Sequence, residues 1–180
     1  MIHERLVISD TNILLDLISV DMLEDFFSLP CDFSTTDFVI SEIIQPAQIK
    51  AIEKYTKSKK LDIVSFSFEE IIEITDIHSN NTNNASITDC SVWYYAKTNN
   101  YILLTGDGKL RKSSLLEGVE VHGIIYVFDE LVESGILQKT TAVERLKELW
   151  KSNPRLPKEE IEKRINVWTV SKKGEEPMKQ

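Results

Sequence analysis

Short apolar runs of strand character alternate with longer stretches of helical periodicity along this 180-residue chain. Residues 5–9 predict a short buried strand, and ILLDLISVDMLEDFF (13–27) carries apolar positions at helical spacing. CDFSTTDFVIS leads through a polar turn into an expected second strand at about 37–41. A helix is expected from Glu42, with Pro46 in its first turns or just beyond a brief one. IKAIEKYTKSKK reads as a lysine-rich surface helix, LDIVSFS (61–67) as a third strand, and FEEIIEITDIH as a helix. SNNTNNAS is too rich in asparagine to predict a packed segment. SITDCSVWYYAKTNN then reads as a helix opened by the capping box Ser86-x-x-Asp89. YILLTGDGK is a strand running into a glycine turn, VEVHGII is another short strand, and YVFDELVESGIL, TTAVERLKELWKS and PKEEIEKRINVW read as three closing helices.

Strands that alternate with helices form βαβ units, so the expected fold is α/β, with a central parallel sheet between two helical layers and extra C-terminal helices. The pattern divides the chain into a domain at 1–138, a helical extension packed on it at 139–170, and a flexible tail at 171–180. Ile161, Ile165 and Trp168 recur at i, i+4 and i+7 and mark the face by which the last helix docks. Trp93, Tyr94 and Tyr95 offer aromatic area that is expected mainly in the core.

Composition narrows the chemistry. Two cysteines without C-x-x-C spacing and three isolated histidines argue against a disulfide framework or a zinc site and suit a reducing cytosol. The N-terminus lacks the apolar segment of a signal peptide, and no stretch approaches the roughly 18 to 20 apolar residues that span a bilayer, so a cytoplasmic protein is expected, away from membranes. The net charge of −8 opposes nucleic-acid binding at first sight. It is unevenly placed. Residues 1–138 hold 10 basic against 22 acidic residues, a balance of −12, whereas residues 139–180 hold 11 against 7, a balance of +4.

Two near-copies of one phrase stand out, LVISDTN at 6–12 and FVISEII at 38–44. Each is an apolar run, a serine and then an acid, which places Asp10 and Glu42 where a parallel sheet keeps its ligands, beyond the carboxyl ends of its strands. Asp107 ends YILLTGD, and Asp89 opens a helix. Singly, each acid also suits a helix cap, a first helical turn or a glycine turn. Grouped, four carboxylates repel one another unless a cation neutralises them, and hard oxygen-seeking ions such as Mg²⁺ or Mn²⁺ do so. That inventory, free of histidine, points to phosphodiester hydrolysis. Asp16 lies on what reads as the exposed part of the first helix.

VISDTN, VISEI, TDCSVWYYA and LLTGDGKLRK together resemble the PIN-domain family, the fold of many VapC-type toxin ribonucleases, over roughly residues 5–128. The resemblance implies a metal-dependent endoribonuclease with Asp10, Glu42, Asp89 and Asp107 as the acids that hold Mg²⁺ or Mn²⁺. Asn12 and Thr105 match polar positions that orient those acids, and Lys109, Arg111 and Lys112 are candidates for RNA phosphate contact. It also implies an RNA substrate, a small antitoxin protein as partner, and homodimers. The segment from GIIYVFDELVESGIL onward resembles the longer C-terminal extensions of a PIN-related subgroup. Two alternatives stand beside this reading. A catalytically silent PIN-like module would bind RNA or protein without cutting. A haloacid-dehalogenase-like phosphatase would need a second acid at position 12, which is Asn12.

Overall fold

Residues 7–81 and 83–170 are described by the computed structural model, and five strands pair side by side within them: β1 (Val7–Ser9), β2 (Phe33–Thr36), β3 (Asp62–Val64), β4 (Ile102–Leu104) and β5 (Val121–His122). The helices are α1 (Thr11–Ser19), α2 (Leu23–Phe26), α3 (Asp37–Ser41), α4 (Pro46–Lys57), α5 (Phe68–Asn80), α6 (Ile87–Asn99), α7 (Gly108–Leu116), α8 (Ile124–Glu133), α9 (Lys139–Ser152) and α10 (Lys158–Val170). The order across the sheet is β3-β2-β1-β4-β5, and every adjacent pair is parallel. The chain therefore builds outward from β1 to β3, then returns to the other flank of β1 for β4 and β5. Connections leaving β1 and β4 diverge, and this opens a crevice beyond their carboxyl ends. Asp10 follows β1 and Thr105 follows β4.

The expected three-layer α/β/α arrangement is present. Helix α6 lies against β1, β2 and β4, and α3, α5 and α7 pack on it. Helix α1 groups instead with α2, α4 and α9, and α8 with α2 and α9. One apolar cluster joins Leu14, Leu17, Phe26, Leu103 and Phe128 to Leu146, Leu149 and Ile161 of the last two helices. Ile161 and Trp168 are buried and Ile165 is partly so, as their spacing predicts. Arg164 adds a polar clamp, its Nε and Nη2 donating to the Asp129 carboxylate of α8 at 3.0–3.3 Å while Nη1 bonds Glu160. Trp93 and Tyr94 are buried and Tyr95 is half-buried against the core.

Several local expectations change. FVIS is helix, not strand: the second strand is FSTT, and the chain turns into α3 immediately after it. Ser34, Thr35 and Thr36 look polar, but threonine's branched Cβ suits a pleated strand, and all three are buried. The Thr36 hydroxyl is shared with Ser91 Oγ at 2.9 Å and accepts the Val39 N–H at 3.3 Å, which starts the helix. The helix expected over 13–27 breaks in two where Asp21 adopts φ 52°, and it begins earlier, at Thr11. Pro46 opens α4 at its first turn, where its missing N–H costs nothing, so that helix starts there and not at Glu42. The glycine turn after Asp107 is the start of α7. The asparagine-rich loop is latched, because the Asn83 and Asn81 amides both donate to Ser113 Oγ, at 2.8 and 3.4 Å. Residues 171–180, read as a tail, lie outside the described residues.

The shared cluster leads us to expect that α9 and α10 unfold with the sheet. Ile161→Ala should lower global stability by about 2–5 kcal/mol and shift a single transition, followed both by far-ultraviolet circular dichroism and by tryptophan fluorescence. Two separated transitions would make the extension an independent unit.

Candidate active site

Asp10 is the innermost acid of the crevice, only 3% exposed. Its Oδ1 accepts the Ile13 N–H at 3.1 Å and so caps α1, and its Oδ2 accepts the Thr105 hydroxyl from the neighbouring strand end. The Thr105 oxygen in turn accepts the Asp107 N–H at 3.0 Å. One buried hydroxyl thus couples the ends of β1 and β4. Burial pushes the Asp10 carboxyl up to about 6; the bonds from Thr105, Ile13 and the Asn12 N–H hold it down, while the charge of Asp89 pushes it further up.

The other three acids are held by different contacts. Asp89 occupies the third position of α6, where its Oδ2 accepts the Ser86 N–H at 2.9 Å and the Ser86 hydroxyl at 2.8 Å, and its own N–H returns to Ser86 Oγ. The capping box is complete, and it holds the carboxylate where its field acts on Asp10. Asp107 caps α7, its Oδ1 accepting the Lys109 and Leu110 N–H groups at 2.8 and 2.7 Å. Glu42 does not directly follow a strand as Asp10 does. It is the C-cap of α3, its backbone N–H donating to the Val39 carbonyl at 3.2 Å, at an end where the helix dipole disfavours an anionic side chain. Its Oε2 accepts the Thr11 hydroxyl at 3.0 Å, which brings it beside the start of α1 all the same.

Asn12 contributes a backbone N–H to Asp10, and its side chain lines an adjoining cavity of about 410 Å³. Thr105 and Asp107 form the wall shared by acids and cavity. The three basic candidates separate: Lys109 and Lys112 are exposed on α7, whereas Arg111 turns under it into the cavity and donates to the Val121 carbonyl at 3.2 Å. Asp16 also differs from its expected place. It is half-buried, lines the cavity, and accepts both its bonds from Asn153 Nδ2 at 3.2 Å; burial raises its carboxyl, and the Asn153 amide opposes this. His122, Tyr126, Asn153 and Arg155 complete the lining and had no recognisable motif.

The donors available to a cation are carboxylates alone, which suits a hard ion. Among the described residues, no three acidic, histidine or cysteine side chains stand close enough to form a cage. A hard ion that keeps much of its water, as Mg²⁺ does, needs only one or two carboxylates. Cys31 and Cys90 are unpaired, their thiols pushed up by burial to about 12 and about 11, so neither is a thiolate nucleophile.

A five-stranded parallel sheet with acids at its switch point defines an α/β protein of the PIN class. A family model described as a PIN domain (DUF3368) matches residues 6–169, and the chain belongs to that family, whose members are generally nucleases. Among solved structures, PAE2754 from Pyrobaculum aerophilum is similar at 12% identity, over 73% of this chain and 99% of that one, with a TM-score of 0.51. At that identity the likeness is one of fold. No curated protein matches the chain. No helix among the described residues is long and apolar enough to cross a membrane.

The raised Asp10 carboxyl has a defined consequence without metal. Its folded value of about 6 lies above the unfolded carboxylate value, so its contribution to stability is full below about pH 4 and is lost as pH rises through about 6. In EDTA, wild-type melting temperature should fall across that window. Asp10→Asn should flatten the fall and be more stable at pH 7 by up to about 3 kcal/mol. Thr105→Val should move the window upward, because the hydroxyl that favours the Asp10 anion is gone. A wild-type profile that is flat from about pH 4 to about pH 7 would remove Asp10 as the strained group.

Proposed function

We propose that this chain is a metal-dependent endoribonuclease in which Asp10 and Asp89 hold Mg²⁺ or Mn²⁺, while Asp107 and Glu42 act on the ion through the water it retains. The observation that carries the reading is the cost of Asp10. An uncharged Asn or Ser would cap α1 about as well, yet the chain buries an acid there, beside a second acid. A cation at that point removes the repulsion, draws in a phosphodiester despite the negative total charge, and supplies an activated water. The chain's own residues do the rest. Thr105 fixes both the Asp10 carboxylate and the Asp107 backbone, and Thr11 holds Glu42, whose exposed carboxylate is available to take a proton from water. Lys109 and Lys112, exposed on the helix that Asp107 caps, are assigned to backbone phosphates of the RNA.

A toxin role extends this reading. Phe68, Ile71 and Ile72 leave an exposed apolar stripe on α5, where we place a protein partner such as a small antitoxin or a second copy of the chain. The silent-module alternative keeps the same surfaces and predicts no turnover.

Purified protein incubated with labelled RNA separates the two. Cleavage should require Mn²⁺ or Mg²⁺ and stop in EDTA. Asp10→Asn and Asp89→Asn should abolish it, whereas Asp76→Asn, exposed on α5, should cut like the wild type. Mn²⁺ at about 100 times its Kd should add about 2.7 kcal/mol of stability, a gain reduced in Asp89→Asn. RNA left intact under every metal condition, with binding preserved, would establish the silent module.

A further inference from the structure

The cavity beyond β4 and β5 is more than a continuation of the acid crevice, because its outer wall comes from the α9–α10 connection. Asn153 ends α9 and is pinned to Asp16 of α1 by its side chain, which sets Arg155, Leu156 and Pro157 over the cavity. Arg111 enters from the opposite side, beneath α7. Its Nη1 is held by the Val121 carbonyl, and a Cβ on Gly123 would lie 3.0 Å from its Nη2, so the glycine is what leaves room for the guanidinium. One wall is apolar and aromatic: Ile124, Ile125, and Tyr126 with the His122 ring stacked on it at 3.7 Å, while Asn12 and Thr105 keep the side towards the acids polar.

Charge bookkeeping decides what such a space takes. Three acids line it; Asp107 and Asp16 accept only from neutral N–H donors, and Glu160 alone is ion-paired, with Arg164. Among the described residues neither lining arginine is ion-paired: Arg111 bonds only a backbone carbonyl, and Arg155 is exposed and has no hydrogen bond or ion pair. A space with two uncommitted guanidinium groups and an apolar wall suits a ligand that is anionic at one end and flat and apolar at the other. Its volume of about 410 Å³ falls in the range of small-ligand sites, about 300–1,000 Å³.

We infer that this cavity is a nucleotide subsite, in which Arg111 and Arg155 hold a phosphate of a single-stranded RNA and its base lies on the wall formed by Ile124, Ile125 and Tyr126. The inference rests on the endoribonuclease reading. It adds that the C-terminal extension builds the part of the site that selects how the strand lies beside the acids at Asp107. Guanidinium binds phosphate through a planar fork, so each arginine supplies direction as well as charge.

Binding of a fluorescein-labelled hexaribonucleotide, measured in EDTA, tests this without turnover. Arg155→Ala should raise Kd by at least about ten-fold and leave the melting temperature unchanged, since the side chain bonds nothing. Arg111→Lys, which keeps charge but loses the fork, should also weaken binding. Lys151→Ala, an exposed cation on α9 outside the cavity, should change Kd by less than about two-fold. Equal losses at Lys151 and Arg155 would overturn the subsite in favour of diffuse attraction. Adenosine 5′-monophosphate binding as tightly as the hexanucleotide would overturn it in favour of a free nucleotide. Mn²⁺-dependent cutting with Kd and KM unaltered by Arg155→Ala would remove the subsite and leave the nuclease. The expected binding pattern with no cutting under any metal would remove the nuclease and leave the subsite.

Discussion

The bond between Thr105 and Asp10 is the contact on which the site depends. It joins the ends of β1 and β4, the two strands between which the order of strand addition reverses, and it is buried. On one side it orients the carboxylate that starts α1; on the other the same hydroxyl receives the Asp107 N–H and so positions the start of α7. Two helices and two acids are therefore referred to one oxygen atom. A buried network of this kind is stabilising only when every member is satisfied, which explains why the local geometry is so constrained. It also sets the electrostatic tension of the crevice, since the carboxylate it orients is the one that burial most disfavours.

Helix capping and a functional role are compatible explanations of an acid at a helix start. Asp10, Asp89 and Asp107 each accept backbone N–H or capping-box bonds with one oxygen. Such bonds fix a carboxylate's rotamer far better than solvent does, and a site that must hold an ion or a phosphate within tenths of an ångström needs that rigidity. The capping energies, about 1 kcal/mol each, offset part of the cost of placing acids near one another. Glu42 breaks the pattern. It sits at the wrong end of a helix for an anion, and its carboxylate is held by the Thr11 hydroxyl, so its position is the one least explained by folding.

What the sequence revealed followed from how local each signal was. Parallel strands, the Ser86–Asp89 box, and the docking stripe of Ile161, Ile165 and Trp168 are written in spacings of two to seven residues, and all appear in the structure. The echo of FVISE and VISD misled because four apolar-to-polar residues do not distinguish a strand from a turn of helix; the decision came from Thr36 and Ser91, 55 positions apart. Asp16 looked solvent-facing for a similar reason. Its partner Asn153 is 137 residues away, and nothing near Asp16 announces it. The cavity was invisible on the same ground, being assembled from α1, the β4–α7 and β5–α8 turns, and the α9–α10 connection.

That assembly gives the uneven charge of the chain a structural meaning. The excess of basic residues after position 138 is not spread evenly in its effect. Arg164 is consumed in holding α10 to Asp129 of α8 and pairs Glu160 as well, whereas Arg155, nine residues earlier, is left without a partner over the cavity. The same extension thus spends one arginine on docking and presents another beside an acidic core. An acidic sheet edge repels a polyanion and a cation at that edge attracts it, and Arg155 stands where the two fields meet. Because Asn153 ties that point to α1, and Asp10 caps the same helix, any change in how α9 and α10 dock must move Arg155 relative to the acids. The extension is in this sense part of the cavity's geometry, and its packing is inseparable from that of the crevice beside it.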